Sequence, residues 1–287
     1  MKEILRVEDL SKSYGKKVVL NHISFSIFEQ EIVGFIGPNG AGKSTLMKCL
    51  CGLIHMDSGS VNLCGYDLNT QREKVLSYQA SLIENPGLFY NMSGLENLEI
   101  FASLKNVSKE RMKEMAEYTR IGDDLKKSAS SYSLGMKQRL AIAIALLSSP
   151  KFLMLDEPMN GLDPSGVIEL RKELRKMVDE QKMSLLISSH QLNEIEKIAD
   201  RIIYIENGEI KEIEKKEQNI VYKIYVDSVV SNYRFNRISD NIYTFSIQNQ
   251  CELSDYLEIL REDHIKLLDI THISDNLENT YSKIYGE

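Results

Sequence analysis

Short runs of apolar, mostly branched residues mark the first 215 positions of the chain. EIVGFIG (31–37), KFLMLD (151–156) and SLLISS (184–189) are typical of strands buried on both faces of a parallel sheet. Between the last two runs, apolar side chains recur at helical spacing behind a proline suited to a first turn. These residues are Pro164, Val167, Leu170, Leu174, Met177 and Val178. A strand, a helix and a strand in succession predict an α/β sheet covered on both faces.

Other patterns flank or interrupt this sheet. ILRVEDLSKSY (4–14) and VVLNHISFSIF (18–28) are rich in β-forming residues and predict an antiparallel layer. VLSYQASLI (75–83) reads as a strand, whereas residues 85–147 are mostly helical in pattern and form an insertion between core strands. Asn207-Gly208, between two alternating stretches, predicts a tight hairpin.

A second, smaller unit is expected after the polar segment EKKEQ (214–218). There, VYKIYVDS and IYTFSIQ predict strands, and LSDYLEILRED predicts a helix. From Lys216 onward the chain has 7 basic and 12 acidic residues, so most of the net charge of −7 lies in this unit. We therefore divide the chain into residues 1–215 and an accessory α+β unit, residues 216–287.

Composition narrows the function classes. The 287 residues are 43% hydrophobic and 27% charged, as in ordinary globular proteins, and the net charge of −7 offers no broad basic field for nucleic acid. The first ten residues carry charges throughout, unlike a signal peptide, and the longest apolar runs are too short to span a bilayer. If this protein works at a membrane, we expect another polypeptide to cross it.

A phosphate-binding loop follows the first apolar run. Residues 37–44 fit the pattern G-x-x-x-x-G-K-[ST] at every fixed position, after a predicted strand and before a predicted helix. Its glycines let backbone N–H groups converge on phosphate oxygens, and the helix N-terminus adds its dipole. The predicted nucleotide-binding residues here are Gly37, Pro38, Asn39, Gly40, Ala41, Gly42, Lys43, Ser44 and Thr45.

Two adjacent carboxylates end a later strand. Asp156 is placed to hold magnesium together with the Ser44 hydroxyl, because magnesium prefers oxygen ligands and keeps several waters. Glu157 follows at once and is suited to act as general base for an attacking water. The sequence therefore predicts a nucleoside triphosphate and Mg²⁺ as ligands, and the resemblance described next implies that the nucleotide is ATP.

The residues outside these two motifs resemble those of the ATP-binding subunits of ATP-binding-cassette (ABC) transporters. YSLGMKQRLAIAIAL (132–146) resembles the family's signature segment, LSGGQ, and NGLD (160–163) resembles the loop that crosses the dimer seam. The resemblance implies that Ser133 and Gly135 address the ATP of a partner subunit and that Asp163 lies at the seam. It also implies that His190 contacts the γ-phosphate and that Tyr14 stacks on adenine.

The resemblance covers roughly residues 1–215 and implies a P-loop NTPase (RecA-like) parallel-sheet core with an antiparallel β subdomain and a helical insertion. The signature departs from the family pattern at two positions, because Leu134 and Met136 stand where glycine and glutamine are usual. Contacts of the signature are therefore expected to rest on Ser133 and Gly135.

Glu84 occupies the place of a glutamine that normally offers its amide oxygen to magnesium and links the core to the membrane-facing helices. LIENPGLF (82–89) resembles the bacitracin-resistance and lantibiotic self-protection branch of the family. We expect Glu84 to be a third metal ligand, with Ser44 and Asp156. The alternative is a different register, in which Gln79 is the ligand.

The implied function is an ATPase subunit that powers export of an antimicrobial peptide, a drug or a similar amphiphile. Its implied partners are a separate membrane permease and a second nucleotide-binding domain, identical or different, and its implied location is the cytoplasmic face of the membrane. The alternative is a soluble ABC ATPase acting on DNA or ribosomes. A long coiled coil does not fit between Ser44 and Asp156, and residues 37–44 form the single phosphate loop, so this alternative is disfavoured. The cargo stays open.

Overall fold

The structure, a computed structural model, describes residues 2–84, 87–190, 192–213, 220–230, 232, 234–247 and 252–273. Contacts between residues divide the chain into two compact units, Met1–Ile213 and Glu214–Glu287. The domain boundary predicted after Lys215 lies outside the described residues.

A six-stranded sheet forms the centre of the first unit. Its strands are β3 (Ile32–Ile36), β6 (Gln79–Leu82), β7 (Phe152–Asp156), β8 (Ser184–Ser189), β9 (Arg201–Glu206) and β10 (Glu209–Ile213), in the order β10-β9-β3-β8-β7-β6. All neighbours are parallel except β10, which is antiparallel to β9. Every residue of β3 and β8 is buried, as their unbroken apolar pattern predicts. The carboxyl ends of β3, β6, β7 and β8 therefore share one edge, where α/β proteins bind ligands.

The predicted antiparallel layer is confirmed. It consists of β1 (Glu3–Tyr14), β2 (Lys17–Phe28), β4 (Ser58–Leu63) and β5 (Tyr66–Asp67), in the order β2-β1-β4-β5. Leu5 and Val7 on β1 share one buried core with Leu46 and with Phe152 of the central sheet. The layer and the central sheet thus enclose the helix that carries Leu46.

Seven helices of the first unit fall within the described residues. They are α1 (Lys43–Leu50), α2 (Arg72–Tyr78), α3 (Gly94–Leu104), α4 (Lys109–Tyr118), α5 (Leu134–Leu146), α6 (Pro164–Gln181) and α7 (Leu192–Glu196). The helix predicted behind Pro164 is confirmed, and the five apolar residues predicted at helical spacing are buried. In the described part of the chain, no helix is both long enough and apolar enough to cross a membrane.

Serine hydroxyls begin the three helices of the insertion. Ser93, Ser108 and Ser133 each accept a hydrogen bond from the backbone N–H three residues ahead, which satisfies one of the free donors of a first turn. The predicted helical character of residues 85–147 is therefore confirmed for its described part, which begins at Gly87.

The strand predicted at residues 75–83 is wrong in its first part. Residues 75–78 of VLSYQASLI belong to α2, and β6 begins only at Gln79. Val75 is the buried residue of α2, and Glu73 lies in its first turn, where a negative charge favours the helix dipole. The strand that remains, Gln79–Leu82, pairs with β7 at the edge of the sheet.

A buried asparagine fixes the loop between β6 and α3. The Asn97 amide donates to the carbonyl oxygens of Phe89 (3.0 Å) and Ser93 (2.9 Å), and its oxygen accepts from Phe89 N (2.8 Å). Asn97 is fully buried, so these bonds have little competition from water. The segment after Glu84 is therefore tied to the helical insertion.

The hairpin predicted at Asn207-Gly208 joins β9 and β10. Both residues have positive φ, 50° and 77°, as a two-residue type I′ turn requires, and Glu206 pairs with Glu209 across it. Asn21 N on β2 donates a hydrogen bond to Gly208 O (2.8 Å), so this turn lies beside β2.

The second unit is the expected small α+β structure. A sheet in the order β12-β13-β11-β14 is packed against one helix. Its elements are β11 (Ile220–Val226), β12 (Asn236–Ser239), β13 (Ile242–Ile247), α8 (Glu252–Glu262) and β14 (Leu267–Ile273). Phe245 stacks on Tyr256 with ring centroids 4.3 Å apart, which joins the sheet to the helix.

Candidate functional site

The phosphate loop lies where the sequence predicts it, between β3 and α1. Gly42 is the residue before the first helical turn and has φ 106°, which strains any residue with a side chain. A Cβ built on Gly42 would also lie 3.0 Å from the carbonyl oxygen of Val19 on β2. The antiparallel layer therefore closes over the loop, and this closeness requires glycine at position 42.

The Lys43 side chain lies inside the curl of the loop. Its Nζ donates to the carbonyl oxygens of Gly37 (2.7 Å) and Pro38 (3.1 Å). Burial lowers the pKa of the Lys43 ammonium, and the Glu157 and Asp156 carboxylates act in the opposite direction. A cation held this way favours an anionic ligand such as a phosphate in the loop.

Asp156 joins three elements at the carboxyl edge of the sheet. Its Oδ2 accepts a hydrogen bond from Ser44 Oγ on α1 (2.9 Å), and its Oδ1 accepts one from Ser188 Oγ on β8 (2.5 Å). Ser188 Oγ in turn accepts from Glu157 N (3.0 Å). Two of the three predicted metal ligands, Ser44 and Asp156, are therefore in direct contact, and Ser188 contacts both acidic residues.

The two predicted catalytic residues also meet. His190 Nδ1 lies 2.7 Å from Glu157 Oε2, and His190 N donates to the same oxygen (3.3 Å). An ionised carboxylate only accepts, so the ring hydrogen in this contact lies on Nδ1. Glu157 has φ 49°, a left-handed backbone unusual for glutamate and often found at functional sites.

A cavity of about 370 Å³ opens between the loop and the acidic residues. It is lined by Val19, Asn39, Gly40, Gly42, Lys43, Ser44, Thr45, Asp156 and Glu157. A second cavity of about 460 Å³ shares Val19, Asn39 and Gly40 with the first. Its further lining residues are Lys17, Val18, Pro38, Ala41, Glu206, Asn207 and Gly208. Together these cavities surround the phosphate loop from both sides, and all nine predicted loop residues except Gly37 line one of them.

The donor set of the first cavity fits magnesium. Ser44 Oγ and Asp156 supply hard oxygen ligands, and magnesium is usually held by one or two protein oxygens together with waters and phosphates. Within the described residues there is no group of three or more His, Cys, Asp or Glu side chains that could hold a metal ion without such help.

Tyr14 and Glu84, two further predicted site residues, line neither cavity. Tyr14 ends β1 with half of its surface exposed (50%), and Lys12 Nζ lies 5.7 Å from its ring centroid. Glu84 pairs with Lys48 of α1, with Nζ and Oε1 2.5 Å apart, and 61% of its side chain is exposed. Its φ of 66° is again left-handed. The adenine and metal roles of these two residues stay predictions.

The signature and seam residues form a separate site. Ser133 Oγ accepts from Met136 N (3.2 Å) and so begins α5, while Asp163 stands immediately before α6. A cavity of about 400 Å³ lies between the two helix starts. It is lined by Ser133, Leu134, Gly135, Met136, Gln138, Arg139, Gly161, Leu162, Asp163, Ser165, Gly166, Glu169 and Leu170.

Two contributors to these sites were missed by sequence reasoning. Ser188 carried a signal, because a polar residue near the end of a buried strand beside the strand of Asp156 is well placed to bond it. Lys48 carried none, since its pairing with Glu84 depends on how α1 and the end of β6 approach each other.

The chain is similar to a described protein family and to several of its members. A family model described as ABC transporter matches residues 20–160. The chain is 37% identical to the bacitracin transport ATP-binding protein BcrA of Enterococcus faecalis, over 100% of this chain and 97% of that one. It is 41% identical to the lantibiotic transport ATP-binding protein SrtF of Streptococcus pyogenes, over 72% of this chain and 89% of that one.

The fold is shared with solved structures. One, an ATP-binding subunit of an ABC transporter, has a TM-score of 0.68 and 29% identity, over 75% of this chain and 91% of that one. The predicted fold class, the resemblance on which it rests and the ATPase activity are therefore confirmed.

Replacing Ser188 tests the hydrogen-bond chain of the site. Ser188→Ala removes the donor to Asp156 and the acceptor of Glu157 N, so we expect kcat for ATP hydrolysis to fall about tenfold, or ~1.4 kcal/mol in the barrier. KM should change little, because the phosphate loop is untouched. Steady-state ATPase assays provide the measurement, with Ser77→Ala on α2 as the matched control. An unchanged kcat would contradict the role assigned to Ser188.

Proposed function

Because this chain belongs to the ABC transporter family of ATP-binding proteins, we propose that it powers export of an antimicrobial peptide, a drug or a similar amphiphile through a separate membrane permease. The observation that carries the proposal is the continuous contact chain from Ser44 through Asp156 and Ser188 to Glu157 and His190. Relatives named for bacitracin and lantibiotic transport support the cargo class. The alternative action on nucleic acid or ribosomes has no comparable support.

The hydrolytic step uses the residues of the first cavity. Loop N–H groups and the Lys43 ammonium bind the phosphates, and Tyr14 stacks on the adenine. Glu157 takes a proton from a water whose oxygen bonds to the γ-phosphorus, while the bond from that phosphorus to the β–γ bridging oxygen breaks. His190, already hydrogen-bonded to Glu157, orients the water. The products are ADP and phosphate.

Magnesium, when bound, neutralises phosphate charge and orders the phosphate oxygens. Ser44 and Asp156 would hold it from one side, and Glu84 from the end of β6. Leu82, the last residue of β6, pairs with Leu155 of β7. Glu84, two residues after Leu82, is therefore at about the same level of the sheet as Asp156 and Glu157 at the end of β7, which supports this assignment. Gln79, the alternative, is buried at the start of β6, and its amide donates to Leu50 O (3.4 Å).

Two cassettes are required, identical or different. The cavity at the signature holds Ser133 and Asp163 on one surface, while the phosphate loop lies in another cavity. Each ATP would therefore be enclosed by the loop of one subunit and by Ser133 and Gly135 of the partner subunit. ATP drives closure only through contacts that exist in the closed state.

The permease would dock on the helical insertion from the cytoplasmic side of the membrane. The loop after Glu84 exposes two aromatic rings, Phe89 (46%) and Tyr90 (41%), and Asn97 ties this loop to α3. Exposed aromatic side chains are enriched at protein interfaces, so the loop is suited to pass motion from Glu84 to a membrane partner. Asn85 and Pro86, which lie between Glu84 and this loop in the sequence, are outside the described residues.

Co-purification tests the transporter assignment. The tagged chain, isolated from detergent-solubilised membranes of its native host, should recover a multi-spanning protein in near-equal amount. Phe89→Ala with Tyr90→Ala should lose that protein while nucleotide binding stays intact, and Leu53→Ala serves as an exposed control. Recovery only with ribosomes or DNA would overturn the proposal.

Removing the general base tests both catalysis and dimerisation. Glu157→Gln keeps the size and hydrogen bonds of the side chain but cannot accept a proton, so hydrolysis should fall by about 100-fold or more. We expect this variant to accumulate as a dimer with ATP, measured by sedimentation velocity, and not with ADP. Turnover at the rate of the unmodified protein would exclude Glu157 as the base.

Glu84→Gln tests the third metal ligand. An amide is a weaker ligand for a hard cation than a carboxylate, so the Mg²⁺ concentration for half-maximal ATPase should rise about fivefold, roughly 1 kcal/mol. Binding of ATP without magnesium should tighten, because a negative charge near the phosphates is gone. If Gln79→Ala changes the magnesium dependence and Glu84→Gln does not, the alternative register is correct.

A further inference from the structure

The signature residue Leu134 contacts the seam loop of its own chain. Leu134 is the first residue of α5, and 47% of its surface is exposed. A Cβ built on Gly161, in the seam loop Asn160–Asp163, would lie 2.6 Å from Leu134 Cδ2. The leucine therefore covers the backbone of Gly161, which has φ 74° and no side chain of its own.

A reciprocal contact continues this packing. A Cβ built on Gly135 would lie 3.7 Å from Leu162 Cδ2, an ordinary van der Waals distance. Leucine on each segment thus lies over glycine on the other. The start of α5 and the seam loop interdigitate as side chains do in a packed core.

An ionic contact joins α5 to α6, the helix that follows the seam loop. Arg139 of α5 donates through Nη2 to Glu169 Oε2 of α6, and Arg120 Nη1 donates to Glu169 Oε1 (3.0 Å). Arg120 Nη1 also lies 3.0 Å from Glu173 Oε1, without the geometry of a hydrogen bond. This ionic contact does not reach the seam loop itself, because Glu169 lies more than one turn into α6. The contact of Leu134 with Gly161 joins the seam loop directly to α5.

We propose that Leu134 is a positioning residue that fixes the seam loop against the signature helix, so that Ser133 and Asp163 meet the partner cassette as one rigid surface. The proposal rests on the proposed closure of two cassettes. A glycine at position 134 would leave Gly161 uncovered, and the seam loop would have to be ordered during closure. Ordering backbone residues during closure would cost conformational entropy and weaken the dimer.

Hydrogen exchange on the nucleotide-free full chain tests the positioning role without any dimer. Two seam amides are suitable reporters, since Asn160 N donates to Glu157 O (3.1 Å) and Leu162 N to Met159 O (3.3 Å). We expect Leu134→Ala to speed exchange at both amides about fivefold and Leu134→Met to restore protection. Leu104→Ala, an exposed leucine at the end of α3, is the control. Unchanged exchange in Leu134→Ala overturns the proposal.

A second pair of variants checks the contact itself. Gly161→Ala should destabilise the protein, because its Cβ meets Leu134 and because φ 74° is strained. Adding Leu134→Ala removes the collision but not the backbone strain. The double variant should therefore recover part of the lost free energy of unfolding, measured with urea in a double-mutant cycle. Strictly additive effects would show that the two residues do not touch and would overturn the proposal.

Dimerisation then links the role to function. In the Glu157→Gln background, Leu134→Ala should weaken the ATP-dependent dimer about tenfold by sedimentation, with ATP affinity of the dilute monomer unchanged. Faster exchange with unchanged dimer affinity overturns the functional half of the proposal. Failure of Glu157→Gln itself to dimerise under these conditions, with exchange still accelerated by Leu134→Ala, counts against the two-cassette function and not against the positioning contact.

Discussion

The two hydrogen bonds accepted by Asp156 are the contacts on which the site depends. They join the helix after the phosphate loop, through Ser44, to the neighbouring strand, through Ser188. Ser188 also accepts from Glu157 N, so the backbone of Glu157 is held by the same serine. All of these groups lie at the carboxyl edge of parallel strands, where strand pairing sets their spacing before any ligand binds.

The second site depends on a different kind of contact. The signature helix belongs to the helical insertion, and the seam loop belongs to the core, yet apolar packing at Leu134 and ion pairs at Glu169 hold them together. Half-exposed ion pairs are worth at most about 1 kcal/mol each, so the packing contact is needed to fix the loop. Glu173 is buried beside them, and burial raises the pKa of its carboxyl group.

Local chemistry explains which parts of the fold were predictable. The Asn207-Gly208 turn and the start of the helix at Pro164 follow from the backbone preferences of those residues. The phosphate loop follows from its glycines, because its backbone conformation requires residues without side chains. The start of β6 was not predictable, because VLSYQASLI suits a strand and the short helix α2 depends on burial of Val75. Ser188 and Lys48 act through tertiary contacts between elements, and only Ser188, a polar residue near the end of a buried strand, carries a sequence signal of its contact.

Glu84 is a carboxylate at a position for which we propose a role near bound phosphates. A carboxylate there repels the γ-phosphate unless a cation lies between them or beside it. In this structure the cation is Lys48, and their hydrogen bond raises the pKa of the Lys48 ammonium. The pair is largely exposed, so it contributes at most about 1 kcal/mol and can be exchanged for a divalent ion at little cost. Lys48 therefore compensates the charge of Glu84 in this structure, and under the proposed metal role Glu84 would exchange Lys48 for magnesium.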